Sequence, residues 1–138
     1  MKSAKTFLVD SGLLCHLENI TESALERNRD RLGPVLESFV AIELKKLARF
    51  SAVKPDLHHL RTVKNLEVDF VLEAKGGDVV NVEVKSSRSI SRADVDGLRF
   101  LAELAGPKFV CGVVLYCGDA VEPLTTNIWA VPISALWS

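Results

Sequence analysis

The chain has 138 residues, 48% of them hydrophobic, and its 17 basic and 18 acidic side chains leave a net charge of −1. At this length about 68–70% of the unfolded surface is buried on folding, so one core suffices without a disulfide or structural metal. The charge balance argues against an autonomous, tight DNA binder, because no broad basic field exists to grip phosphates; a local basic cleft, or delivery to DNA by another domain, stays open.

Residues 6–9 (TFLV) read as a short strand, stopped by Asp10-Ser11-Gly12 and followed by a helical turn through Leu13, Leu14 and Leu17. The polar stretch 21–32 is a helix or a connection, and Thr21 is placed to start a helix with Glu22 and Glu26 in its first turns. Gly33-Pro34 punctuates. From there Leu36, Phe39, Val40, Leu44 and Leu47 recur at helical spacing, with Pro34 tolerated in the first turn. On that helix Glu43 falls inside the apolar stripe, and Glu37 falls at its edge.

The period then changes. LHHLRTV (57–63) reads as a strand. Val68, Phe70 and Leu72 alternate with polar neighbours, as do Val80, Val82 and Val84, and Gly76-Gly77 between the two runs predicts a hairpin. Ser91 is the expected N-cap of a helix reaching Ala105, with a stripe of Val95, Leu98, Leu101, Ala102 and Ala105. Asp94 stands near the capping-box position, and Gly106-Pro107 ends the helix. FVCGVVLY (109–116) is continuously apolar, as a strand covered on both faces would be. Gly118-Asp119 turns, and NIWAVPI (127–133) is a short last strand whose Pro132 points to a sheet edge.

Cys15, Cys111 and Cys117 make neither a disulfide framework nor a Cys/His zinc pattern; Cys111 and Cys117 are expected to be buried free thiols. No stretch approaches the ~20 apolar residues of a membrane span, and Asp10 comes too early for a signal peptide, so a cytoplasmic protein without a membrane partner is expected. The order helix, three strands, helix, two strands, with no repeat or low-complexity linker, predicts one α/β domain over residues 1–138.

The hairpin carries the chemistry. A hairpin symmetric about residue 76 sets Asp69 opposite Glu83 on one face, with Cβ atoms ~4.5–5.5 Å apart. Two carboxylates that close repel unless a cation sits between them or a proton is shared. Lys85 shares the face, ~6.6–6.8 Å along the strand from Glu83. Mg²⁺ takes oxygen ligands of this kind, polarises a phosphate and lowers the pKa of a bound water, and a nearby lysine stabilises developing negative charge. The Val84 side chain faces the core, which leaves its backbone carbonyl as a further candidate ligand. The bland alternative is a solvated strand face on which Glu83 and Lys85 form a weak ion pair. A sheet covered as FVCGVVLY implies has little room for such carboxylates unless they serve a site.

EVDFVL (67–72) and VEVKSS (82–87) together resemble the PD-(D/E)xK nuclease superfamily, and Gly33-Pro-Val-Leu-Glu37 resembles the helix start of its archaeal-type Holliday-junction resolvases. The resemblance implies a restriction-endonuclease-like αβββαβ core, a mixed sheet flanked by helices. More closely, FLVDSGLL, LESFVAIEL, EVDFVLE, VEVKSS, GLRFLAEL and GVVLYCGD…PL…IWAVPISALW, in that order over residues 6–137, are similar to the nuclease-like C-terminal domain that follows AAA-type ATPase modules in prokaryotic proteins. By this likeness Asp69 and Glu83 match the metal-binding carboxylates, Lys85 the catalytic lysine and Glu37 the helix-borne acid. Glu43 is also typical of that domain, although its helical position favours a buried, hydrogen-bonded role. The implied activity is Mg²⁺- or Mn²⁺-dependent phosphodiester hydrolysis on DNA. The alternative is an inactive nuclease-like module that binds or regulates alongside an AAA-type ATPase. No G-x-x-x-x-G-K-[ST] occurs here, so the ATPase would lie elsewhere in a longer protein or be encoded separately. An oligomer is compatible with everything above.

Other residues are weighed against structural roles. His58 and His59 face opposite sides of their strand, so at most one approaches the site, and both are expected to be structural or solvent-facing. Trp129 and Trp137 read as core and edge packing. Ser86 and Ser87 either end a strand or touch phosphate; Arg88, Arg92 and Arg99 are either a phosphate rim or a solvated face.

Overall fold

The computed structural model describes residues 5–62 and 66–138 of the chain. Lys5–Leu8 form no strand, contrary to the expectation for 6–9, because no neighbouring strand edge takes up their backbone. Asp10 caps α1 (Ser11–Leu17), its carboxylate accepting the Leu13 N–H at 2.9 Å. Thr21 caps α2 (Glu22–Arg27) through the Ala24 N–H. α3 runs over Leu32–Phe50 and buries Ser38, Val40, Ala41 and Leu44. Leu47, expected in the buried stripe, is 46% exposed and Phe50 is 90% exposed. At 1.5 Å per residue this 19-residue helix is ~28 Å long, so its last turns overhang the sheet beneath.

Six strands follow: β1 (Asp56–Arg61), β2 (Glu67–Glu73), β3 (Val79–Lys85), β4 (Phe109–Tyr116), β5 (Glu122–Pro123) and β6 (Ile128–Pro132). Val63, the end of the strand expected over 57–63, lies outside the described residues. The sheet order is β1-β2-β3-β4-β6-β5. β1, β2 and β3 are antiparallel in turn, while β3 with β4 and β4 with β6 are parallel. β6 is therefore not the edge strand: the two-residue β5 pairs with its Trp129 and Ala130 and brings Pro123 to the edge, while Pro132 lies beyond that pairing.

The β2–β3 turn uses Gly77 at φ 86°, a left-handed conformation that a side chain resists. Between β3 and β4 the chain crosses over through α4 (Asp96–Ala105), which a capped turn precedes: Asp94 Oδ2 accepts both the N–H and the hydroxyl of Ser91 at 2.7 Å. The result is three layers. α3 covers one face of the sheet through Val40, Ala41 and Leu44 against Phe70, Val82 and Leu115. α4 covers the other through Leu98 and Leu101 against Val71, Val114 and Ile128. The chain is thus mixed α/β, a six-stranded mixed sheet between helices. Asn81, fully buried on β3, finds no protein partner for its amide among the described residues, and nothing in the fold accounts for it.

Some expectations need correction. Cys111 and Cys117 are free but only half-buried, because both lie where strand β4 meets solvent-facing turns or half-covered positions. Trp129 and Trp137 are 40% and 60% exposed; Trp137 packs only edge-on against Phe39, with centroids 5.5 Å apart.

Candidate functional site

The β2–β3 ladder pairs Glu73 with Val79, Leu72 with Val80, Val71 with Asn81 and Phe70 with Val82. The next opposed pair is Asp69 with Glu83, and there the backbone ladder gives way to side chains. The Val84 N–H donates to Asp69 Oδ2 at 2.8 Å, and the Asp69 N–H donates to Glu83 Oε2 at 3.4 Å. Each carboxylate thus takes over a backbone hydrogen bond across the two strands. Asp69 is left only 8% exposed.

Charges enter from both faces of the sheet. From the α4 side, Lys85 Nζ lies 3.1 Å from Glu83 Oε1 and 3.6 Å from Asp94 Oδ1. Asp94 is fixed for this contact because its other oxygen caps the turn before α4. From the α3 side, Glu37 meets the ammonium of Lys5. Lys5 Nζ also lies 3.3 Å from Glu67 Oε1 and 3.4 Å from Asp69 Oδ1, and 5.8 Å from the Phe7 ring centroid. His59 closes the rim, with Nε2 3.2 Å from Glu67 Oε1 and Nδ1 3.1 Å from the Asp69 carbonyl oxygen.

Burial and like charge shape the titration of this cluster. Burial, with the Asp69 charge added, pushes the Glu83 carboxyl up to about 7, against the pull of Lys85. Burial also raises Glu37, and its ion pair with Lys5 only partly offsets this. For Lys5 burial acts downward, but Glu37, Asp69 and Glu67 outweigh it and raise the ammonium. Lys85 is raised in the same way, with Glu83 and then Asp94 and Asp69 outweighing burial. Burial alone would raise Asp94; the Ser91 hydrogen bonds and the Lys85 charge lower it instead.

The residues singled out in the sequence divide accordingly. Asp69, Glu83 and Lys85 come together as expected. Glu37 joins them, but through Lys5. Val84 contributes its N–H to Asp69; a strand residue turns its N–H and C=O toward the same neighbour, so its carbonyl faces β2 as well. Glu43 is half-buried and pairs with Lys46 on its own helix at 2.7 Å, away from this cluster. His58 pairs with Glu73 near the far end of the hairpin. Ser87 lies in the bend just past β3, its hydroxyl donating to the Ser89 carbonyl, and Arg88 is tied to Asp119 at 2.9 Å. Lys5, Glu67, Asp94 and the approach of His59 went unforeseen. The one available signal was electrostatic: several carboxylates crowded at a sheet end demand a counter-cation.

The donor set fits a hard divalent cation in kind, because carboxylates from α3 and β2 already converge on one positive charge. That charge is Lys5, and with it in place no three acidic or histidine side chains among the described residues stand close enough to share an ion.

A family model described as "Domain of unknown function (DUF4143)" matches residues 32–136. The chain belongs to the DUF4143 family. The matched stretch holds Glu37, the whole hairpin and Asp94, and leaves out Lys5. Two curated relatives, "Uncharacterized protein Rv2008c" of Mycobacterium tuberculosis and "Uncharacterized protein Mb2031c" of Mycobacterium bovis, are each 36% identical over 136 residues, covering 95% of this chain. This DUF4143 chain spans 28% of the length of those relatives. No solved structure matches it. No helix among its described residues is long and apolar enough to cross a membrane.

Proposed function

We propose that the α3-β1-β2-β3-α4-β4 stretch is a restriction-endonuclease-like core bearing a PD-(D/E)xK-type site for metal-dependent hydrolysis of DNA phosphodiesters. The observation that carries this reading is the Asp69–Glu83–Lys85 cluster, where two carboxylates replace ladder hydrogen bonds at the open end of a buried hairpin. Such a cluster destabilises the sheet end that holds it, and ligand chemistry is the economical reason for its presence. Asp69, Glu83, Glu37 and the Val84 carbonyl would hold Mg²⁺ or Mn²⁺, which supplies charge at the phosphate and acidifies water.

The protein's own groups do the rest. Lys85 stays an ammonium at neutral pH, because Glu83 and Asp94 raise its pKa, so it donates to a phosphate oxygen or to the attacking water and does not serve as a base. Asp94 and Glu83 aim it from two sides. The test is cleavage of branched, single-stranded and double-stranded DNA with Mg²⁺ or Mn²⁺. Cleavage is expected, and its loss in both Asp69→Ala and Lys85→Ala; activity that survives either change sinks the assignment.

A second reading has its own observation. The Lys5 ammonium among Glu37, Glu67 and Asp69 supplies the cation that these carboxylates need, as in a nuclease-like module without catalysis working beside an AAA-type ATPase. Tight association with an ATPase module, with no Mn²⁺ binding by calorimetry in the chain or in variants lacking Lys5, is the outcome that favours it.

A further inference from the structure

We propose that Lys5 is a built-in counter-cation that competes with a divalent metal ion for the Glu37 and Asp69 carboxylates, so that the segment Lys5–Val9 must leave before the site takes metal. This rests on the reading of the site as metal-binding. The Lys5 ammonium touches carboxylates from two elements, Glu37 on α3 and Glu67 and Asp69 on β2. A divalent ion sharing the same oxygens would bring two positive charges against the ammonium, so the two occupy the site in alternation.

The segment is held in a way that permits exchange. Among the described residues the backbone of Lys5–Val9 makes no hydrogen bond to the sheet or the helices. Its other anchor is the Phe7 ring, 5.7 Å from that of Phe70. Val9 is 86% exposed, and a cleft of about 430 Å³ runs beneath the segment between Leu8, Ala41, Ile42 and Leu57. Few contacts with the other described residues oppose release, which is the mark of a locally opening segment. Lys85 is different: on the α4 side it also pairs with Asp94, which is no candidate metal ligand, so it stays while Lys5 leaves. The site thus carries one resident lysine and one exchangeable one.

Calorimetric titration of Mn²⁺ into the wild-type chain, Lys5→Met, Lys5→Arg and Asp69→Asn tests this. Lys5→Met is expected to bind Mn²⁺ roughly 5- to 150-fold more tightly than wild type, the usual range of coupling between two sites. Lys5→Arg, which keeps the charge, should match wild type, and Asp69→Asn should lose binding. Equal affinity in wild type and Lys5→Met overturns the competition and leaves the metal reading standing, as does a Lys5→Arg variant that tightens like Lys5→Met. No binding by wild type or Lys5→Met removes the metal reading and the competition together. A second measurement needs no substitution: lysine acetylation read by mass spectrometry. Saturating Mn²⁺ should speed modification of Lys5 severalfold relative to Lys85; an unchanged ratio overturns the proposal.

Discussion

Glu83 is the residue through which pH reaches this fold. Its carboxyl is 12% exposed, faces Asp69 and titrates near 7. The folded state therefore holds this proton more tightly than the unfolded chain, whose ordinary value is 4.5. The stability gained is fully present below 4.5 and is lost as pH rises through about 7; the difference is worth at most about 3 kcal/mol. Glu83→Gln carries no such proton. In metal-free buffer the urea midpoint of wild type should fall relative to that of Glu83→Gln between pH 5 and pH 8, as denaturation with EDTA present would read; parallel profiles for the two proteins would contradict the titration. Asp69, Glu83 and Lys85 were legible because a two-residue period and a glycine turn fix which strand residues oppose. Lys5 was not, since it meets Glu67 and Asp69 at sequence separations of 62 and 64, which no periodicity links. Glu37 was legible from periodicity only as an edge position and as a site acid only through the family resemblance, because helical phase gives a direction and not the partner that waits there.

At the scale of elements, the site depends on how closely α4 can approach the start of β2. Gly97 makes that approach: a Cβ on it would stand 2.5 Å from the Glu67 carbonyl oxygen and 3.4 Å from Val68 Cγ2. Gly97→Ala is thus expected to push α4 off the strand that presents Glu67 and Asp69, at a cost of about 1–3 kcal/mol. Gly33→Ala is the contrast: a Cβ there meets nothing within 4 Å beyond its chain neighbours, and the helix propensity gained over glycine is offset by Pro34, which disfavours a helical residue with a Cβ before it, so the change is expected to be near neutral. Thermal denaturation should lower the midpoint of Gly97→Ala and leave that of Gly33→Ala close to wild type; a Gly97→Ala melt at or above wild type would show that the helix has room to move. The element order followed from period alone: 3.6 for α3 and α4, two for the hairpin, an unbroken apolar run for β4. What failed at this scale failed for lack of a partner in view. TFLV has strand composition but no edge to join, and Pro132 makes β6 resemble an edge strand until β5, two residues long and without a pattern of its own, takes the outer position.

For the whole molecule, the decisive quantity is the balance of charge. Net charge is −1, and the cations near the candidate site are already engaged: Lys5 with Glu37, Lys85 with Glu83, Arg88 with Asp119. Phosphate binding gains its strength from unpaired Lys and Arg that displace condensed counterions, and each contact steepens the fall of affinity with salt. A molecule whose acids equal or outnumber its bases offers no net positive field to strengthen such contacts. Titrated against a fluorescent DNA duplex at 150 mM salt with EDTA, the chain should show no saturation below about 100 µM by anisotropy, the weak end of nonspecific binding. Sub-micromolar binding with a steep salt slope would mean that an extended basic surface forms outside the groups described above. The expected weakness has a consequence for the proposed activity. A nuclease-type site that grips DNA weakly would act slowly by itself and gain from delivery, and this chain covers only 28% of the length of its mycobacterial relatives, which leaves room for such a grip elsewhere in proteins of that length. On that reading the Lys5 contact is useful: it keeps the Glu37 and Asp69 carboxylates occupied until a metal ion displaces it.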